Sequence, residues 1–257
     1  MRTLAVLVVL TMAGAAGARE ERPKPTRDTV LGGQHWRISG EHGTVHVWRP
    51  AGYHKRGAGI VVYVHGYGSS ADKAWTSHRL AEQFRESRQN ALFIVPDAPA
   101  GRDEGLKYEA LGDLLKTVFS QTRIARPPGP IVVVGHSGAF RTIVPWLDYR
   151  AIDHVLLLDA LYARQANFAD WLETAKGHEH NKLTIVGKTT AENVEAFLGQ
   201  FPDVVRMNKV PQSFKELDRR QKRARILYVK SQFEHMQIVT SGKVIPLLLR
   251  RTPLRPI

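Results

Sequence analysis

Ile131-Val132-Val133-Val134-Gly135-His136-Ser137-Gly138-Ala139-Phe140-Arg141 is the stretch on which the fold turns. Four β-branched residues run into a cluster of small residues with one serine in the middle. A continuous apolar run of this length, closed by glycine, is the pattern of a strand buried on both faces. The small residues suit a chain that reverses from strand to helix within a few positions. Ser137 then reads in one of two ways. It is a nucleophile exposed on that turn, or it is an N-cap whose hydroxyl accepts a helix N–H. The pattern is Gly-x-Ser-x-Ala, and at 139 alanine adds only one methyl group to the more familiar glycine. The rest of the chain decides between the two.

Working outward, further apolar runs are bounded by Gly, Pro or polar residues: Ile60–Val64, Ala91–Val95, Val155–Leu158, Leu183–Val186 and Ile226–Val229. His35–Ser39 and Gly43–Arg49 instead alternate, as a half-exposed antiparallel pair does. Helical spacing occupies the gaps at 73–88, 108–122, 139–147, 167–175, 190–198 and 211–223. Eight strands alternating with helices predict an α/β fold with a mostly parallel sheet.

The start of the chain does not fit that core. A short basic Met1-Arg2-Thr3 precedes the apolar run Leu4–Met12. Ala16-Gly17-Ala18 then offers a small-residue cleavage site. This is the grammar of a secretory signal over residues 1–18. The run is too short for a permanent transmembrane helix. Residues 19–28, charged and containing Pro, read as a flexible segment, and 29–257 as the folded domain. The expectation is a bacterial protein, secreted or periplasmic, with no integral membrane segment once the signal is removed. No cysteine is present, which excludes thiol catalysis, Cys-ligated metal and disulfides. The net charge of +13 favours anionic partners. Its clusters, Arg219–Arg225 and Arg250-Arg251, read as solvated helix faces. Without interleaved aromatics they point to no specific nucleic-acid partner.

In open α/β sheets, sites form beyond the carboxyl ends of the strands. Those ends carry His65-Gly66-Tyr67-Gly68, Pro96-Asp97, Gly135-His136-Ser137-Gly138-Ala139, Asp159 and, a few residues past the last run, Glu234-His235. A Ser, an Asp and a His therefore stand at three strand ends in that chain order. With the His-Gly-x-Gly turn after the third strand and the Gly-x-Ser-x-Ala turn after the fifth, nearly the whole mature chain resembles the α/β-hydrolase superfamily.

That resemblance implies an eight-stranded, mostly parallel sheet flanked by helices. Only about 23 residues separate Asp159 from Leu183, which leaves no room there for a large cap. It also implies Ser137 as nucleophile and His235 as general base. The acid stays open between Asp159, which directly ends an apolar strand, and Glu192, since in this superfamily the acid more often follows the next strand. The oxyanion hole would be the N–H groups of Tyr67 and Gly138, with His65 bracing the loop. Arg141, four residues past Ser137, is a candidate to hold a substrate anion, and Tyr162 to line the pocket. His178-Glu179-His180 lacks further ligands for a metal. No cofactor or metal is expected.

The expected activity is acyl transfer on an ester or amide, with a small or polymeric acyl substrate that is anionic cell-envelope material. Two alternatives remain. One is a serine peptidase or carboxypeptidase acting on peptidoglycan peptides, and the other a non-catalytic protein binding an anionic polymer. Oligomeric state is not readable from the sequence.

Overall fold

The computed structural model describes residues 24–174 and 181–257. The signal read at 1–18 and His178-Glu179-His180 lie outside the described residues. All eight strands expected from the sequence are present, and two more join them at the edges. In chain order they are β1 (Thr26–Val30), β2 (Gly33–Gly40), β3 (Gly43–Arg49), β4 (Gly59–Val64), β5 (Ala91–Pro96), β6 (Ile131–His136), β7 (Ile152–Leu158), β8 (Lys182–Gly187), β9 (Val204–Met207) and β10 (Ile226–Lys230). They form one sheet in the order β1-β2-β3-β5-β4-β6-β7-β8-β10-β9. The pairs β1–β2, β2–β3 and β3–β5 are antiparallel and all the others parallel.

The two additional strands are those with least apolar pattern. Four of the five residues of β1 are exposed, so no alternation marks it. Its first three residues, 26–28, belong to the stretch read from composition as flexible. They are ordered by the ladder to β2, through a two-residue turn at Leu31-Gly32 with φ of 51° and 79°. Positive φ at both positions is the hairpin geometry that matches strand twist. β9 is only four residues long and pairs with β10.

The parallel strands are apolar throughout because both faces are covered. Ile60, Val62 and Val64 enter one core with α3 (Leu111–Thr122), α4 (Phe140–Trp146), α5 (Gln165–Thr174) and α6 (Ala191–Leu198). Val61 and Tyr63 enter the other, with α1 (Ala71–Ser77), α2 (Leu80–Ser87), α8 (Gln237–Thr240) and α9 (Val244–Leu249). The helix expected over 73–88 is split into α1 and α2. His78 turns inward to bond the Tyr63 hydroxyl at 2.8 Å, and Arg79 takes a left-handed φ of 51°. Similarly, the helix expected over 211–223 shrinks to a 3₁₀ turn and α7 (Arg219–Arg223).

The basic clusters also divide. Arg250 is exposed, but Arg251 is 4% exposed and is not part of a solvated face. Its guanidinium donates to Gln221 O, Ala224 O and Thr184 Oγ1, tying the segment after α9 to the starts of β8 and β10. Burial lowers its pKa to about 10, so it stays charged. Nearby, Asn90 N donates to Arg255 O at 2.7 Å and Ile257 N to Arg88 O at 2.8 Å, stitching the last residues to the start of β5.

Candidate active site

Ser137 follows β6 directly, at φ 55°, in a 3₁₀ turn over Ser137–Ala139 that runs into α4. A non-glycine residue in this region is strained, and such strain collects at functional sites. The neighbouring small residues have physical reasons. A Cβ on Gly135 would lie 2.3 Å from Ile143 Cδ1 and 3.1 Å from the Ala139 methyl, so any larger residue has to displace the end of the Ile143 side chain. The Ala139 methyl is accommodated, 1% exposed.

Asp159 follows β7, also at positive φ (48°), and is fully buried. Its Oδ2 accepts from His235 Nδ1 at 2.6 Å. Lys188 N, Thr190 N and Thr190 Oγ1 donate to Oδ1, and Thr189 N and Thr189 Oγ1 to Oδ2. Burial acts to raise its pKa. The hydrogen bonds from His235 and from the 188–190 segment outweigh burial and hold the carboxyl far below the usual carboxylate range. Glu192, the other candidate acid, is exposed in the first turn of α6. It is Asp159 that meets the imidazole.

His235 lies in the loop between β10 and α8, its side chain 31% exposed. The His136 ring lies 4.6 Å from it, and His136 Nε2–H donates to His235 O at 3.3 Å. Burial, then the neighbouring His235 and His78, lower the His136 pKa to about 3, so it is a neutral donor. Tyr162, 39% exposed, joins the serine side to the histidine side. Its phenol faces the hydroxyls of Thr189 and Ser137, and its ring meets that of His235 edge-on at 6.4 Å. Among the described residues no hydrogen bond joins Ser137 directly to His235, a looseness common in unliganded sites.

The His65–Gly68 loop faces the serine. A Cβ on Gly66 would fall 2.6 Å from Ser137 Cβ and 3.3 Å from Ser137 Oγ. Among the described residues Tyr67 N meets no protein acceptor, and Gly138 N is one of the unpaired donors at a helix start. His65 braces the loop at both ring nitrogens, with Nδ1 on Gly66 O (2.8 Å) and Nε2 accepting from Ala98 N (3.0 Å).

Arg141 has another task than the one expected of it. Its guanidinium donates to Gly101 O, Arg102 O and Glu104 O, at 3.0, 2.5 and 3.0 Å, and lies 6.0 Å from the Tyr67 ring centroid. It holds the loop after β5 rather than standing free for an anion. Sequence reasoning missed His136, Thr189 and Thr190. The one available signal was Thr-Thr one residue past β8, where N–H and hydroxyl donors stand in place of the acid. Among the described residues no group of His, Cys, Asp or Glu is arranged to hold a metal.

No family model matches the chain, and no curated protein matches it. Solved structures do. The chain is similar to an S-formylglutathione hydrolase from Agrobacterium tumefaciens (TM-score 0.56, 12% identity, 89% of this chain and 99% of that one). It is similar to a feruloyl esterase module from Clostridium thermocellum complexed with sinapinate (TM-score 0.55, 11% identity, 87% of each chain). It is also similar to the fluorophosphonate-binding serine hydrolase F of Staphylococcus aureus (TM-score 0.52, 11% identity, 88% of this chain and 98% of that one). With these likenesses and with its order of parallel strands, the chain has the α/β-hydrolase fold.

Proposed function

We propose that the chain is an exported serine esterase working through Ser137, His235 and Asp159. The observation that carries the reading is the buried Asp159 carboxylate bonded to His235 Nδ1, beside a serine at positive φ on a strand-to-helix turn. Ser137 Oγ attacks the ester carbonyl as its proton passes to His235 Nε2. Asp159 stabilises the imidazolium without taking the proton. The amides of Tyr67 and Gly138 receive the charge on the carbonyl oxygen. Collapse of the tetrahedral species releases the alcohol, which takes the proton from His235. Water then attacks the acyl-enzyme with the same histidine as base.

Ester chemistry, rather than amide, is supported by the likeness to esterases. The exposed Tyr162 and Met236 flank His235 and supply an apolar rim for an acyl or aryl group. The carboxypeptidase reading relied on a free Arg141, and Arg141 is engaged by the loop after β5. Export rests on the pattern of residues 1–18. Its check is the N-terminal residue of protein recovered outside the cytoplasm, expected at or near Arg19.

The test of the whole reading is labelling with a fluorophosphonate probe alongside turnover of p-nitrophenyl esters. The native protein should label and turn over. Ser137→Ala should lose the label, and kcat should fall by about 10⁴ or more. A Ser137→Ala protein that still turned over esters at the native rate would remove Ser137 from the mechanism.

A further inference from the structure

A cavity of about 330 Å³ lies on the side of the molecule away from Ser137. Four cations line it, from four separate parts of the chain: Arg27 of β1, Arg49 at the end of β3, Lys55 before β4, and Arg123 after α3. No carboxylate is among its lining residues. Among the described residues none of the four forms an ion pair. Arg37, on β2 beside Trp36, shows the ordinary arrangement, paired with Asp72 through its Nε and Nη2.

Two aromatic residues, Trp36 and Tyr53, share the lining with Gln34, Thr122, Ile124 and Ala125. Arg27 and Arg49 lie 5.2 and 5.7 Å from the Trp36 ring centroid, and Arg49 lies 6.0 Å from that of Tyr53. The rings help to hold the guanidinium groups in place, and Arg49 Nη2 also donates to Gln34 Oε1 of the same lining. The remaining N–H groups of Arg49 have no partner among the described residues and can meet an oxyanion. The Tyr53 hydroxyl is buried and has no hydrogen-bond partner among the described residues. A buried polar atom without a partner is uncommon and points to a group that fills the site.

We propose that this cavity binds a small, multiply charged oxyanion of the phosphate type. Gathering four like charges without a counter-charge is unfavourable in the empty protein, and a ligand bearing two or more negative charges relieves it. The volume suits a phosphate compound of modest size. The wider cavity near Arg219, Arg220 and Arg223 is different, because Asp203 lines it and no aromatic ring does. The site is independent of the catalytic reading. β3 ends beside the start of β5, whereas Ser137 follows the far end of β6, roughly 20 Å away at 3.3 Å per strand residue.

The test is calorimetric titration of the full chain with pyrophosphate, and in parallel with long-chain polyphosphate, at about 0.15 M salt, where diffuse attraction is screened beyond about 8 Å. Pyrophosphate should bind. Arg27→Gln/Arg49→Gln should weaken it by about tenfold or more, the worth of one charged hydrogen bond. Lys55→Gln/Arg123→Gln, on exposed side chains, provides a second pair should the first fail to fold. Arg219→Gln/Arg220→Gln should bind as the native protein does, and esterase turnover should be native in all three. Polyphosphate binding no more tightly than pyrophosphate identifies a free phosphate compound. Tighter binding, lost on the same two pairs, identifies phosphate presented on a polymer. The proposal is overturned if neither probe binds, if binding survives both cavity pairs, or if Arg219→Gln/Arg220→Gln weakens it equally.

Discussion

Asp159 accepts from six donors, five of them in the segment 188–190 and the sixth on His235. That arrangement explains how a carboxylate at the end of an apolar strand can remain ionised under full burial. Asp159→Asn puts an NH₂ where donors already point. We expect kcat to fall about 10⁴-fold, as the imidazole loses its oriented tautomer, together with a lower Tm in a thermal melt. Native turnover by this variant would exclude Asp159 as the acid. Arg141→Ala tests the loop-holding role. If the guanidinium only fixes the loop after β5, KM for neutral and for carboxylate-bearing esters should change by the same factor. A rise confined to the acidic esters would restore a role in reading substrate charge. The serine, histidine and aspartate were legible because each stands at a strand end, where the fold places chemistry. His136, Thr189 and Thr190 were not. Their contributions are backbone amides, hydroxyls and a ring packed from behind, and apart from the Thr-Thr pair none of these changes the residue pattern.

At the level of elements, the inner strands were legible because burial on both faces forces an unbroken apolar run. β1 escaped notice because four of its five residues face solvent. The break between α1 and α2 escaped because the apolar spacing continues across it. What interrupts the helix is a tertiary contact, His78 on Tyr63. Gly135 shows the opposite case, a sequence feature with an immediate steric meaning. Gly135→Val would drive a side chain into Ile143 and the Ala139 methyl, forcing the underside of α4 to repack. We expect a loss of about 1–3 kcal/mol in denaturant unfolding, and reduced fluorophosphonate labelling as the turn carrying Ser137 shifts. Arg251→Ala would leave Gln221 O, Ala224 O and Thr184 Oγ1 without their donor at the starts of β8 and β10. A loss of about 3 kcal/mol is expected, and Arg251→Lys should recover only part of it, lacking the planar fork.

Across the molecule, four histidines are held neutral by burial, with pKa values lowered to about 4 for His46 and His78, about 3 for His136, and well below the usual imidazole range for His154. Each folded value lies below the unfolded value near 6.5. The unfolded chain therefore binds more protons between the two. Stability is full above about pH 6.5 and declines as pH falls toward 4, by about 1.4 kcal/mol per pH unit for each such histidine. Thermal melts should show a lower Tm at pH 5 than at pH 7.5. An unchanged Tm would mean that these rings are solvated or already charged in the folded protein. The acid limb steepens below about pH 4. There Asp159 and Asp72, the latter lowered to about 2 by its Arg37 bond against opposing burial, begin to lose the advantage of staying ionised.

The stitching of residues 250–257 to the starts of β5, β8 and β10 has a consequence in time rather than in space. The sheet cannot complete its edge at the starts of β5, β8 and β10 until that segment packs there, so its closure waits on contacts between parts of the chain far apart in sequence, which form slowly. A chain shortened at residue 249 should accumulate in aggregates rather than as folded protein.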